Sequence, residues 1–92
     1  MEDQRNGRNS FSAAAPTTQA VILAAGSSKR LALTLRNAGS VTVYLGKDAT
    51  VTSANGYPLK VDEVMTDDNS SDAWWGITAS GTGDIRRMEV TL

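Results

Sequence analysis

The sequence contains no cysteine and no histidine among its 92 residues. Without cysteine it can form neither a disulfide nor a thiolate metal site, so stability must come from a compact core or from neighbouring copies. Without histidine it lacks the commonest general base and the commonest metal ligand of proteins. These two absences argue against an enzyme. We therefore expect no catalytic residue, no cofactor and no bound metal.

Excess positive charge and long apolar runs are also missing. The formal net charge is −1 and the sequence pI is about 5.2, unlike the strongly basic surface of a nucleic-acid-binding protein. The longest apolar run, 20–25, is far too short to span a bilayer. The charged N-terminus is not followed by the apolar core of a signal peptide. We expect a soluble protein that is assembled in the cytoplasm and has neither a nucleic-acid nor a membrane partner.

The length of the chain allows one domain, preceded by a polar segment. Apart from Met1, residues 1–18 contain a single large apolar side chain, Phe11, and they end in a run of small residues around Pro16. Such a segment, alone in water, lacks the apolar surface needed to fold. We predict an extended N-terminal arm over 1–18 and a folded domain over 19–92.

From residue 19 onward, short β-type segments alternate with turn residues. Leucine alternates with smaller or polar residues over 30–36, and valine and leucine alternate over 41–45. The short Asn/Gly connection between these two segments predicts a β-hairpin, and 50–52 is predicted as a further short strand. With about seven or eight such strands and no helix, we predict an all-β fold. Its form would be a small antiparallel β-sandwich or a jelly-roll-like barrel.

Alternation also predicts which side chains face the core in the last two strands. Because neighbouring residues of a strand point to opposite faces, Trp75 is placed with Ile77 in the core and Trp74 outside. In the final segment Ile85 is out of phase with three later apolar residues. They are Met88, Val90 and Leu92. A β-bulge near Arg86 and Arg87 would bring both sets to one face.

Two local patterns superficially suggest ligand sites. The acidic stretch 67–72 has some spacing of a calcium loop, but it lacks the glycine and the distant glutamate of such a loop. The stretch 24–30 resembles the nucleotide-binding start of some nucleotidyltransferases, but a leucine-alternating strand follows it where a helix would be required. We interpret the first as a solvated turn and reject the second.

The remaining candidates for function are residues that could contact another protein. Exposed aromatic side chains and arginines commonly anchor protein interfaces. Segment 47–72 carries two positive and six negative charges, so it complements the basic residues near the end of the chain and could support contacts between copies. The candidate interface residues are Phe11, Tyr57, Trp74, Arg86 and Arg87.

The order of these segments resembles that of small virion proteins of bacteriophages. In such proteins a leucine-alternating strand that ends in Arg-Asn leads into a Val-x-Val-Tyr strand, and a Gly-Asp-x-Arg strand closes the domain. The matching segments are Val21–Ala25, Arg30–Asn37, Val41–Tyr44, Asn55–Leu59, Ala73–Ile77 and Gly83–Arg86. The resemblance covers about Val21 to Val90 and includes no catalytic residue.

This resemblance implies a structural role in the virion. The leading hypothesis is a capsid decoration or cement protein that binds between subunits of the major capsid protein on the capsid surface, as a homotrimer or another homo-oligomer. A neck, tail or head-fibre component is the alternative within the particle. From another class, a carbohydrate-binding module could use Trp74 and Tyr57 to stack on a sugar.

Overall fold

The computed structural model describes residues 8–92, and this part of the chain forms eight β-strands. The strands are β1 (Arg8–Ala14), β2 (Val21–Ala24), β3 (Arg30–Asn37), β4 (Val43–Gly46), β5 (Tyr57–Leu59), β6 (Val64–Asp67), β7 (Trp74–Ile77) and β8 (Ile85–Thr91).

The strands form two four-stranded antiparallel sheets that pack as a sandwich. The first sheet has the order β1-β8-β3-β6 and the second has the order β2-β7-β4-β5. The predicted all-β sandwich is confirmed, and the sheets do not close into a barrel. The hairpin predicted for 30–45 is wrong, because β3 belongs to the first sheet and β4 to the second.

Asn37 explains why the chain changes sheets at this point. Its side chain is fully buried, and its Nδ2 donates 2.8 Å hydrogen bonds to the carbonyl oxygens of Val41 and Leu59. Its Oδ1 accepts a 3.0 Å bond from the backbone N–H of Gly39. A polar residue at the end of the leucine-rich strand thus ties that strand to the opposite sheet. Alternation alone does not show this.

The core lies between the sheets and consists mainly of aliphatic side chains. Its buried members are Leu23, Ala24, Leu33, Leu35, Val43, Leu45, Leu59 and Ile85. Leu33 and Leu35 face inward as predicted, but Leu31 is 43% exposed. The pairing of β3 with β8 shifts register between Arg30 and Ala32, and this shift takes Leu31 off the core face.

Strand β8 has the opposite phase from the prediction. Its pairing with β1 runs without a break from residue 85 to 91, so the bulge predicted at Arg86 and Arg87 is absent. Arg87 and Glu89 share the inner face with Ile85, while Met88 is 39% exposed on the outer face. The irregularity lies instead on the neighbouring strand β3.

The described part of the predicted arm is built into the sandwich. Strand β1 forms the edge of the first sheet next to β8. The carbonyl oxygens of Pro16 and Thr17, in the segment that follows β1, accept bonds of 2.8 and 2.9 Å from the N–H groups of Gly83 and Thr78. Residues 1–7 of the arm lie outside the described residues.

Residues 50–52 form no strand, contrary to the prediction, and belong to the loop between β4 and β5. Val51 is nevertheless buried. A Cβ built on Gly46 would lie 2.6 Å from that valine, and one on Gly56 would lie 2.9 Å from it. The two glycines therefore make room for Val51, which closes the loop against the second sheet.

Candidate protein-interaction surface

The strand register of the first sheet produces a continuous row of side chains across its outer face. Phe11 of β1 lies opposite Met88 of β8, and Met88 lies opposite Thr34 of β3. Thr34 in turn lies opposite Thr66 of β6. Phe11 is 71% exposed. We call this surface, formed by the outward side chains of β1, β8, β3 and β6, the outer face of the first sheet.

A groove of about 390 Å³ opens beside Phe11, between β1 and β8. It is lined by Phe11, Ser12, Ala13, Arg86 and Arg87. Ala13 pairs with Arg86 and lies two residues after Phe11 on the same face of β1. Its small methyl group therefore leaves space between the longer side chains of Phe11 and Arg86. The structure thus brings together three of the five candidate interface residues.

The arginines of this face are paired with acidic neighbours. The Nε and Nη2 atoms of Arg86 donate hydrogen bonds of 2.8 and 2.9 Å to the two carboxylate oxygens of Asp84. These bonds lower the pKa of the Asp84 carboxyl and raise that of the Arg86 guanidinium. Arg36 similarly contacts Asp62 at 3.2 Å. Arg36 and Arg86 are opposite each other in the register, so the face combines the apolar residues Phe11 and Met88 with two charge pairs at one end.

Arg87 lies mainly inside the sandwich. Its guanidinium is 3.4 Å from Glu89, and Glu89 accepts a 2.7 Å bond from Nε of Arg30, whose side chain has no exposed surface. Arg30 also donates 2.6 Å bonds to the carbonyl oxygens of Asp72 and Ala25. The Nε of Arg87 is buried without a hydrogen-bond partner. We call Arg30, Arg87 and Glu89 the internal charge cluster.

The sequence reasoning missed Arg30 and Glu89 as members of this cluster. The available signal was the spacing of Ile85, Arg87 and Glu89, which places all three on one face of a regular strand. We instead assigned the apolar residues of the strand to the core.

Trp74 does not lie on the open surface. It packs against the core, and its Nε1 donates a 2.9 Å bond to Asp67. The Nζ of Lys47 lies 4.4 Å from the centroid of its ring. The predicted orientations of Trp74 and Trp75 are therefore reversed. Gly76 explains this orientation. A Cβ there would come within 2.8 Å of the core residue Leu23, so position 76 faces the core, and Trp74, two residues before it, faces the same way.

Tyr57 is 62% exposed on β5, at the edge of the second sheet. It pairs with Leu45 of β4, and the structure does not bring it near Phe11. The five candidate residues therefore occupy three separate places in the fold.

The second sheet carries an apolar patch that the sequence reasoning also missed. Trp75 lies opposite Ile22 on one side and Gly46 on the other. Tyr44 lies opposite Ile77. Trp75, Tyr44 and Ile77 are half-buried, whereas Ile22 is 46% exposed.

The acidic segment after β6 is organised by Asp67. Its Oδ1 accepts bonds of 3.0 and 3.1 Å from the N–H groups of Asn69 and Ser70, and its Oδ2 accepts a 2.6 Å bond from the Ser70 hydroxyl. The Ser70 hydroxyl bond, together with those from Trp74 and the backbone, strongly lowers the pKa of the Asp67 carboxyl. The carboxylate is thus used to hold a turn.

This depressed pKa predicts a pH dependence of stability. A carboxyl group with a lower pKa in the folded than in the unfolded chain stabilises the fold above its unfolded pKa of about 3.9, and this contribution is lost as pH falls below that value. When the pH is lowered from 7 to 2.5, the free energy of unfolding measured in urea should therefore fall more for the wild type than for Asp67→Asn. Parallel pH profiles for the two proteins would contradict the role assigned to Asp67.

Comparison with known proteins finds neither a matching family nor a matching curated protein. Within residues 8–92, no group of three acidic side chains could hold a metal ion. The same part of the chain has no helix long and apolar enough to cross a membrane. The surfaces described above are therefore the basis for assigning a function.

Proposed function

We propose that this chain is a non-enzymatic structural protein that binds another protein through the outer face of its first sheet. Its partner is the major capsid protein of a phage, and the chain decorates and cements the capsid surface. The observation that carries this function is the row formed by Phe11 and Met88, which is apolar and exposed while its arginine neighbours are paired. The likeness of its strand pattern to small virion proteins suggests the virion as the setting.

The orientation of the side chains of β8 supports a partner bound on the outer face of the first sheet. This strand lies between β1 and β3 and turns Arg87 and Glu89 toward the interior while Met88 points outward. For an isolated domain the opposite arrangement would bury more apolar surface, at about 25 cal/mol per Å². A partner on the outer face restores this burial and leaves the internal charge cluster intact.

Decoration requires only association. Each copy would bury an apolar patch between capsid subunits, and the symmetry of the shell would repeat that contact many times, so individually modest affinities combine. The chain would act as a homotrimer or another homo-oligomer at the capsid surface. Neither a cofactor nor a catalytic residue enters this mechanism.

A neck, tail or head-fibre position is the second candidate, because it would use the same face. Copy number separates the two, since a neck position has on the order of a dozen copies whereas summed weak contacts over a shell involve hundreds. The carbohydrate-binding alternative has less support. Trp74 packs against the core, so it cannot form an exposed platform with Tyr57.

The binding function can be tested with Met88→Asp and capsids that lack the chain. Placing an unpaired charge in a desolvated interface costs several kcal/mol, so we expect co-sedimentation to weaken by at least about 30-fold. Ile22→Asp is the matched control, because Ile22 is 46% exposed on the second sheet and Met88 is 39% exposed on the first.

Wild-type protein and Ile22→Asp should bind equally well. Failure of the wild type to bind capsids would remove the decoration role. Equal binding by Met88→Asp would exclude the outer face of the first sheet as the contact surface.

A further inference from the structure

Three of the four sheet edges in the described sandwich are poorly suited to pair with another strand. Strand β5 is three residues long and contains Pro58, which has no N–H to donate. Strand β2 has four residues and a register shift. Strand β6 also has four residues and ends at Asp67, next to Asp68. Short edges, bulges, proline and charge are the devices that prevent edge-to-edge association.

The fourth edge, β1, is neither short nor bulged and contains no proline, and its single charged residue, Arg8, lies at its first position. It is seven residues long, with the sequence Arg-Asn-Ser-Phe-Ser-Ala-Ala, and only its last residue is partly buried. Its pairing with β8 is regular throughout. No strand within residues 8–92 pairs with its other side. Its backbone therefore offers a long, flat template for a further strand.

We propose that β1 pairs antiparallel with β1 of a second copy of this chain, about a two-fold axis at Phe11. The two first sheets then join into one continuous sheet of eight described strands. This dimer goes beyond the capsid role and does not depend on it, because it forms in the purified protein.

The sequence of β1 fits this symmetry. With residue 11 opposite its own copy, residue 8 faces 14, residue 9 faces 13 and residue 10 faces 12. Arg8 then faces Ala14, so no like charges meet across the strands, and Ser10 faces Ser12, where two hydroxyl groups can bond. Phe11 faces its own copy, and an aromatic pair of this kind adds stability beyond its buried area.

Other registers lose this match. A two-fold axis at Ser10 would place Phe11 opposite Asn9, and an axis at Ser12 would place it opposite Ala13. Only the axis at Phe11 pairs the two aromatic rings, and it covers the edge-facing side of a side chain that is 71% exposed in the single chain. It also joins the two Phe11–Met88 rows into one apolar strip across the dimer.

Sedimentation equilibrium of the purified wild-type protein should show a monomer–dimer equilibrium. Phe11→Lys replaces the aromatic pair by two like charges, and we expect the dimer dissociation constant to rise about tenfold or more. Tyr57→Lys is the matched control, because Tyr57 is 62% exposed on an edge strand blocked by proline. It should dimerise like the wild type. Circular dichroism confirms that both variants fold.

Oxidation of single-cysteine variants tests the register, since the natural chain has no cysteine. In the proposed dimer the two residues at position 11 face each other with Cβ atoms about 4.5–5.5 Å apart, close to the span of a disulfide. The two residues at position 13 are offset by four positions, or about 13 Å. Phe11→Cys should therefore crosslink rapidly and Ala13→Cys should not.

A wild-type protein that stays monomeric at high concentration would overturn the dimer, as would a trimer that Phe11→Lys leaves intact. Equal crosslinking of Phe11→Cys and Ala13→Cys would overturn the register. Loss of capsid binding by Met88→Asp with normal dimerisation would separate the two functions.

Discussion

Replacement of Glu89 by alanine is expected to lower the free energy of unfolding by about 3–5 kcal/mol. This is a large share of the roughly 5–15 kcal/mol that holds a domain together. Glu89 is the carboxylate between Arg30 and Arg87, at 2.7 and 3.4 Å. Its loss would leave the fully enclosed Arg30 guanidinium with carbonyl partners alone, and would remove the carboxylate that Arg87 contacts.

Asp84→Ala is the control for this experiment. It breaks the Asp84–Arg86 pair, whose side chains are 35% and 61% exposed. A solvent-exposed ion pair contributes about 0–1 kcal/mol, so the free energy of unfolding measured in urea should change little. If Glu89→Ala proved no more harmful than Asp84→Ala, the internal charge cluster would have no structural role.

Asn37→Ala is expected to lower the free energy of unfolding by about 2–5 kcal/mol. The two hydrogen bonds from Nδ2 satisfy the carbonyl oxygens of Val41 and Leu59. A buried polar group left without its partner costs about 1–3 kcal/mol. The small alanine side chain would also leave a cavity at a position that is 0% exposed. Chemical unfolding monitored by tryptophan fluorescence measures the loss.

Asn55→Ala provides a comparison of the same residue type on the surface. Asn55 is exposed and accepts a 2.8 Å bond from the N–H of Thr52. Its removal should cost about 1 kcal/mol or less, since the freed N–H group can bond to water. A similar loss for Asn37→Ala and Asn55→Ala would show that Asn37 does not hold the two sheets together.

The sequence predicted the fold class because alternation and turn residues are local signals. Leu33 and Leu35 face the core as expected, and the flanking turns place their strand correctly. Alternation does not report which sheet a strand joins, so the hairpin prediction failed where Asn37 directs the chain across the sandwich. The fully buried side chain of Asn37 is recognisable only from its distant partners.

The local pattern of β8 allowed two orientations, because regular spacing places Ile85 with Arg87 and Glu89, whereas apolar character favours the face of Met88. Arg87 and Glu89 lie inside because Arg30, 59 positions before Glu89, supplies a partner. The choice between Trp74 and Trp75 depended on Gly76, whose missing side chain fits against Leu23. In each case a contact distant in sequence decides which side chains of the strand face the core.

The role of the five candidate interface residues stays a prediction, and the structure shows only which of them lie together. Phe11, Arg86 and Arg87 line one groove, which follows from the pairing of β1 with β8 and could not be known without that pairing. Trp74 and Tyr57 lie elsewhere. An aromatic residue in a polar segment is visible in the sequence, but its neighbours are set by the topology.

The pairing of β8 between β1 and β3 also has a consequence for how the chain acquires its structure. During translation, β8 emerges from the ribosome after every other described strand, so β1 and β3 both wait for this shared neighbour. Sheets built from such distant pairings fold slowly, in about milliseconds to seconds. Until β8 arrives, nascent chains expose the leucines of β3 and the open edge of β1, which makes this interval the time of greatest exposure to aggregation and to chaperones.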